Sequence, residues 1–161
     1  MSSQELDPKT VETIFDLVKN IPERQLDNAN TLDTKMVQVF SAAGVVIGLL
    51  GLSSGALGEA PWITTCLISA LFFYSVTAFT AFLHLRPKPF RRSLHGDSLW
   101  NETWQLTQIE VQHTVIADVA KAYSHNRLLL SKKARTLSIA VFATAIEVVS
   151  VGLALLLSRF V

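Results

Sequence analysis

The sequence predicts an all-α integral membrane protein with three transmembrane helices and a cytoplasmic helical layer. Half of its 161 residues are hydrophobic and only 17% are charged, whereas soluble domains carry about 25% charged residues. Most of the apolar residues fall in three stretches, 36–57, 62–85 and 137–157, each long enough to cross a bilayer as a helix. If these were buried helices of a soluble protein, covering them would take more amphipathic chain than the sequence contains.

Composition also excludes several classes of function. The net charge of +1 argues against a nucleic-acid-binding protein that relies on bulk electrostatics. The single cysteine, Cys66, excludes an internal disulfide bond and a multi-cysteine metal site. The four histidines are too scattered along the sequence to predict a metal site. Since no nucleophile–base pair or carboxylate pair stands out, we expect no enzymatic activity and no cofactor.

Residues 1–35 are predicted to form short cytoplasmic helices ahead of the first span. Pro8 is typical of the first turn of a helix, and apolar residues follow at helical spacing over 11–21. Pro22 is predicted to end this helix, and a second helical stretch then runs into the span. No apolar signal-peptide core precedes the span, so we expect the span itself to act as the targeting signal.

The first span, 36–57, carries a face of small residues. Its glycines recur at helical spacing and are Gly44, Gly48, Gly51 and Gly55. Within lipid, where hydrophobic burial gives no driving force between helices, small residues allow two backbones to approach closely. The face therefore predicts tight packing against the other spans of the chain, against a second subunit, or around a pore.

Charged residues mark one membrane surface. The second span, 62–85, is followed at once by a basic cluster, and the first span is preceded by an acidic and a basic residue; these residues are Arg86, Lys88, Arg91, Arg92, Asp33 and Lys35. Basic clusters next to a span are typical of anchors on anionic lipid headgroups. A pocket for a phosphate-bearing ligand is the alternative, although no glycine-rich phosphate loop accompanies the cluster.

The distribution of basic residues predicts the orientation of the chain. Thirteen of the fourteen lysines and arginines lie before the first span or between the second and third spans. By the positive-inside rule these segments are cytoplasmic. We therefore expect a multi-pass protein with a cytoplasmic N-terminus and a periplasmic or extracellular C-terminus.

Residues 86–136 are predicted to form a cytoplasmic linker and a long helix. Asp97 is the expected N-cap, and because no proline follows it, the helix is predicted to be continuous with the third span in 137–161. A heptad seam along this helix is predicted to be buried against the two N-terminal helices or against a neighbouring subunit. Its polar or aromatic members are His113, Tyr123 and Arg127. His113 and Arg127 are either switch or ligand residues or positions that set the register of packed helices.

Glu147 is the single charged residue within the third span. A charge at mid-membrane costs about 2.5–3.5 kcal/mol on insertion scales, so its side chain is expected to face protein or water. Tyr74 and Gly48 are predicted to lie at a similar depth, and Tyr74 is a possible hydrogen-bond donor to the carboxyl group. The acid either locks helix packing in neutral form, forms part of a carboxylate ring or gate around an oligomer axis, or lies at a surface near a water defect.

The order of these segments is similar to that of a known family. An LDTK lead-in at 32–35 enters a Gly- and Ala-rich span, a tight turn and a second span follow, and a long helix ends with SKKAR at 131–135 before the last span. In this order the chain resembles the Pycsar transmembrane effectors and, more loosely, related small helical membrane effectors of bacterial nucleotide-signalled defence. The resemblance covers about residues 24–157, with Asp33 and Lys35 at family positions. It implies an antiphage protein of the bacterial inner membrane that responds to a cyclic mononucleotide.

Two functional hypotheses follow. In the first, the protein is a homo-oligomeric effector whose cytoplasmic helices sense a signal such as a cyclic mononucleotide, and whose spans then impair membrane integrity. The glycine face and Glu147 would then line subunit contacts or a pore, and the partners would be the lipid bilayer and further copies of the chain. In the second, it is a constitutive, non-conducting scaffold or accessory subunit of a larger membrane complex.

Overall fold

The computed structural model describes residues 8–53, 61–87, 89–90 and 106–158. Four α-helices account for nearly all of them, namely α1 (Pro8–Val18), α2 (Ile21–Ser53), α3 (Pro61–Leu85) and α4 (Gln108–Leu157). Three helical segments are long and apolar enough to cross a membrane. The predicted all-α fold with three membrane-spanning helices is thereby confirmed.

The chain divides into two compact units. The first unit contains Met1–Ala29 and Lys88–Ser131, and the second, which we call the span unit, contains Asn30–Pro87 and Lys132–Val161. Helices α2 and α4 each contribute residues to both units without a break. Residues 86–136 were predicted as a linker and a long helix, and 88 and 91–105 lie outside the part of the chain that the structure describes.

The first unit has a small core with one buried polar pair. Its buried apolar residues are short or β-branched and comprise Val11, Ala29, Val115, Val119 and Ala122. Gln25 of α2 and Asn126 of α4 are also buried. The Asn126 amide donates a hydrogen bond to Gln25 Oε1 at 3.2 Å, and the Gln25 amide donates to the Tyr123 carbonyl at 3.3 Å. Buried amides that satisfy each other in this way fix the register of two helices.

The junction of α1 and α2 corrects one prediction. Pro22 does not end the first helix, because α1 already ends at Val18 and Pro22 lies in the first turn of α2. The Asn20 carbonyl accepts a hydrogen bond from the Arg24 amide at 3.1 Å, so Asn20 occupies the N-cap position. A proline in the first turn loses no intrahelical hydrogen bond, since the amides there have no partner within the helix.

The start of α4 corrects a second prediction. Asp97 lies outside the described residues, but Leu106 and Thr107 are not helical, so the long helix does not run unbroken from Asp97. The helix begins at Gln108 with a Thr-x-x-Glu cap: the Thr107 backbone amide and hydroxyl both donate hydrogen bonds to Glu110 Oε2 at 2.8 Å. From there α4 continues to Leu157, so the predicted continuity of the long helix with the third span is confirmed.

The span unit is a three-helix arrangement in which α3 runs antiparallel to α2 and α4. Hydrogen bonds join α3 to α4 at His84 and Thr136, and again at Thr77 and Thr144. Met36 of α2, Ala81 of α3 and Ala140 of α4 form a buried cluster that involves all three helices. Small residues at such contacts bring the backbones close and maximise van der Waals packing in lipid.

The buried face of α4 differs from the predicted seam by one residue. The buried positions in the first unit include Val115, Val119, Ala122 and Asn126, and Lys133 and Ala140 continue the series in the span unit. The predicted seam, which followed the larger apolar side chains, is rotated by about 100° from this face. The side chains of His113, Tyr123 and Arg127 are consequently exposed in the single chain, so the seam is not buried against the N-terminal helices. Its burial against a neighbouring subunit stays a prediction.

Candidate functional site

An ionic cluster joins all three helices at one end of the span unit. Lys133 of α4 donates hydrogen bonds to both carboxylate oxygens of Asp33 of α2, with Nζ 2.5 Å from Oδ1 and 2.7 Å from Oδ2. His84 of α3 places Nε2 3.0 Å from Asp33 Oδ1, at an angle outside that of a hydrogen bond. His84 is fully buried and the Lys133 side chain is 7% exposed, while Asp33 is about one-third exposed.

The hydrogen bonds of Thr136 orient the His84 ring. The Thr136 hydroxyl donates to the Lys133 carbonyl at 2.8 Å, so its oxygen is left to accept from His84 Nδ1, also at 2.8 Å. In this arrangement His84 Nδ1 carries a proton and Nε2 points towards the carboxylate. A buried ammonium group that loses its carboxylate partner is left with an uncompensated charge, which is costly, so the cluster ties α2 and α4 together.

A second set of polar side chains follows the α3–α4 contact deeper in the span unit. The Thr77 and Thr144 hydroxyls lie 3.2 Å apart, and the Ser69 and Ser150 hydroxyls lie 3.3 Å apart. Glu147 lies between these two pairs on α4, three residues from each, which is about 4.5 Å along the helix axis. We call these five residues the polar seam.

Glu147 is the least satisfied member of the polar seam. Its side chain is fully buried, so it faces protein, and neither carboxyl oxygen has a hydrogen-bond partner among the described residues. The possible hydrogen bond from Tyr74 is not formed. Tyr74 is half-buried and instead stacks on Phe40 of α2, with ring centroids 6.3 Å apart.

The glycine face of α2 has no close neighbour within the described chain. A Cβ atom built on Gly44, Gly48 or Gly51 would meet no heavy atom within 4 Å, and Gly55 lies outside the described residues. Close packing of this face against α3 or α4 was one of the alternatives, and the structure does not show it. Ala43, on a different face of α2, is the fully buried small residue.

The predicted membrane-surface residues are only partly described. Lys35 and Arg86 are exposed near the ionic cluster in the sequence, and Lys88, Arg91 and Arg92 lie outside the described residues. No group of three His, Cys, Asp or Glu side chains in the described ranges is placed to hold a metal ion. Lys133, His84 and Thr136 were not predicted as a site. One signal in the sequence points to Lys133. It lies seven residues before Ala140 and fourteen before Glu147, a spacing that puts all three on one face of α4.

A model of a known protein family matches most of the chain. The model of the Pycsar effector protein domain matches residues 18–158, which include most of both units. No curated protein and no solved structure matches the chain. With three membrane-spanning helices and a match over most of its length, the chain belongs to the Pycsar effector family and is a transmembrane effector of antiphage defence.

Proposed function

We propose that this protein is an oligomeric effector of the bacterial inner membrane that responds to a cyclic mononucleotide by impairing membrane integrity. The observation that carries the proposal is the family match, because it extends over most of the first unit as well as the spans. An effector needs a part that receives a signal and a part that acts on the bilayer. The two units supply candidates for these parts.

The proposed orientation has the first unit in the cytoplasm and the C-terminus in the periplasm. The basic residues support it, since thirteen of fourteen lie outside the spans on the predicted inner side. The exposed Lys35 and Arg86 fit contacts with anionic headgroups at that surface. A cyclic mononucleotide made in the cytoplasm would then reach the first unit directly.

Two continuous helices support a route for the signal. α2 and α4 belong to both units, and each unit holds them together by its own polar contact, Gln25 with Asn126 in the first and Asp33 with Lys133 in the span unit. A ligand that shifts α2 along α4 in the first unit would strain the second contact. This role needs no catalytic group, so we propose a non-enzymatic effector.

The open glycine face supports assembly into oligomers. Gly44 and Gly48 leave room for a neighbouring backbone, and within the described chain no heavy atom lies within 4 Å of a Cβ built on either residue. Glycine lowers helix stability by up to about 1 kcal/mol relative to alanine. Close packing of a second subunit against the glycine face would offset that cost. The polar seam faces the interior of the span unit and is a separate feature.

The function is tested by the electrical current across a planar lipid bilayer that contains the purified protein. We expect current when one of the 3′,5′-cyclic mononucleotides of the four ribonucleosides is added on the side of the first unit, and no current with linear nucleoside monophosphates. A protein-free bilayer with the same nucleotides is the control. If no nucleotide causes current and purified protein binds none of them, the effector proposal is wrong and the non-conducting scaffold is favoured.

A further inference from the structure

The polar seam lies within one chain, apart from the glycine face, and it contains a buried acid. Glu147 is fully buried, neither of its oxygens has a hydrogen-bond partner in the described part of the chain, and hydroxyl pairs lie one turn away on either side. A buried group that is neither paired nor hydrogen-bonded is costly. Helix packing alone does not require a glutamate at this position, because Ala143 and Ala154 are buried nearby on α4 without the cost of burying a polar group.

We propose that Glu147 is a proton-binding site, and that the polar seam between α3 and α4 is the path by which protons cross the membrane when the effector is active. The inference rests on the proposed membrane-impairing function and names the ion and the path. Without a cation beside it, Glu147 is held as the neutral acid, which can release its proton to a hydroxyl or water chain and take up another.

No other ionisable group of the spans competes for this role. α2 carries no titratable residue between Met36 and Ser53, and α4 carries only Glu147 from Leu137 to Leu157. On α3, Cys66 is half-buried, Tyr74 stacks on Phe40, and His84 belongs to the ionic cluster at the end of the span. The hydroxyls of Thr77, Thr144, Ser69 and Ser150 are the groups able to pass protons to and from the acid.

Apolar contacts close the polar seam at both ends in this structure. Met36, Ala81 and Ala140 form a buried cluster between the ionic cluster and the Thr77–Thr144 pair. Ile63 and Ala154 are buried beyond the Ser69–Ser150 pair, towards the other end of the helices. Apolar contacts of this kind block ions until water enters the contact. The structure therefore corresponds to a resting state, and activation must separate Met36, Ala81 and Ala140.

The test measures proton flux into liposomes that hold a trapped pH-sensitive dye, with potassium and valinomycin to set the driving force. In wild-type protein activated by a cyclic mononucleotide we expect flux, and Glu147→Gln, which keeps the shape but carries no exchangeable acid, should reduce it at least tenfold. Thr144→Val should also reduce flux. Ser138→Ala is the matched control, because Ser138 is an exposed hydroxyl of α4 off the polar seam, and it should conduct like wild type.

A second measurement separates a proton site from a merely structural acid. The infrared carbonyl band of a protonated carboxylic acid should be present in wild type and missing in Glu147→Gln. Transfer to D₂O should shift the band slowly at rest and quickly after activation. Equal rates in the two states, or Glu147→Gln flux equal to wild type, would overturn the inference. Nucleotide-dependent current without proton flux through Glu147 would leave the proposed function standing, whereas the absence of both current and nucleotide binding would remove both proposals.

Discussion

At the scale of single residues, the Asp33–Lys133 pair links α2 to α4 within the span unit. The Lys133 ammonium group is nearly buried and donates two short hydrogen bonds to the Asp33 carboxylate. A buried ion pair adds little net stability relative to apolar residues, but removing one partner leaves an uncompensated buried charge. The two single substitutions and the double substitution should therefore behave very differently.

Asp33→Asn should lower the free energy of unfolding by about 3 kcal/mol, since it leaves the Lys133 ammonium without its counter-charge. The combined substitution of Asp33→Asn and Lys133→Met should recover most of that loss. Denaturant unfolding in mild detergent measures both. Lys132→Met, which removes the exposed charge next in sequence, is the control and should change stability by less than about 0.5 kcal/mol. A double variant no more stable than Asp33→Asn would contradict a buried-charge penalty.

At the scale of helices, α4 shows how far hydrophobic periodicity predicts a buried face. Its helical character and its continuity with the third span followed from the absence of proline, and both are confirmed. The predicted face lies one residue after the face that is buried within the chain, because the prediction followed the large apolar side chains. The observed face uses Ala122, Asn126 and Lys133, which are buried because they are small or paired. Such pairing partners lie about 100 residues away and leave no local pattern.

The start of α4 should fray in acid. Hydrogen bonds from the Thr107 backbone amide and hydroxyl lower the pKa of Glu110 below its ordinary value. A lowered pKa in the folded state means that this contact stabilises the helix start above the ordinary glutamate value, about 4.3, and is lost as the pH falls through the folded-state value. Two amides at this end are hydrogen-bonded: the Thr107 amide to Glu110 and the Val111 amide to the Thr107 carbonyl. Their hydrogen exchange should accelerate over that range, after correction for intrinsic rates.

Glu110→Gln provides the control for this prediction. The substitution removes the titrating carboxylate, so the helix start should exchange faster than wild type at pH 7 and show little further change in acid. Asp118→Asn, an acid substitution further along α4, should leave the wild-type pH dependence in place. The prediction fails if Glu110→Gln and wild type show the same pH dependence.

At the scale of the whole molecule, composition and span length were enough to predict a three-span helical membrane protein, while the internal polar contacts were not. Glu147 was identified because a charge in a span is conspicuous, but its two flanking hydroxyl pairs depend on the register of α3 against α4. The glycine face was also identified, although its packing partner was not. Among the described residues, no heavy atom lies within 4 Å of a Cβ built on Gly44, Gly48 or Gly51. A substitution on this face can therefore change assembly without changing the packing of the chain.

Gly48→Leu should reduce the mass of the detergent-solubilised oligomer without lowering the melting temperature of the chain. A Cβ at Gly48 meets nothing within 4 Å, so the larger side chain leaves intrachain packing intact but holds a second backbone away. Light scattering and thermal unfolding measure the two effects. Ala43→Leu, at a fully buried position of the same helix, is the contrasting control and should lower the melting temperature. An unchanged mass for Gly48→Leu would show that the glycine face is not a subunit contact.

The orientation of the chain gives a prediction that involves all three spans. In a Cys66→Ser background the protein has no other cysteine, so a single introduced thiol reports one location. Ser124→Cys, at an exposed position of α4 in the first unit, should react with a membrane-impermeant maleimide only after the inner membrane of spheroplasts is opened. Glu59→Cys, between the predicted spans 36–57 and 62–85, should react in intact spheroplasts, because an odd number of crossings separates the two positions. The reverse pattern would place the basic segments outside, and the first unit would then be out of reach of any nucleotide made in the cytoplasm.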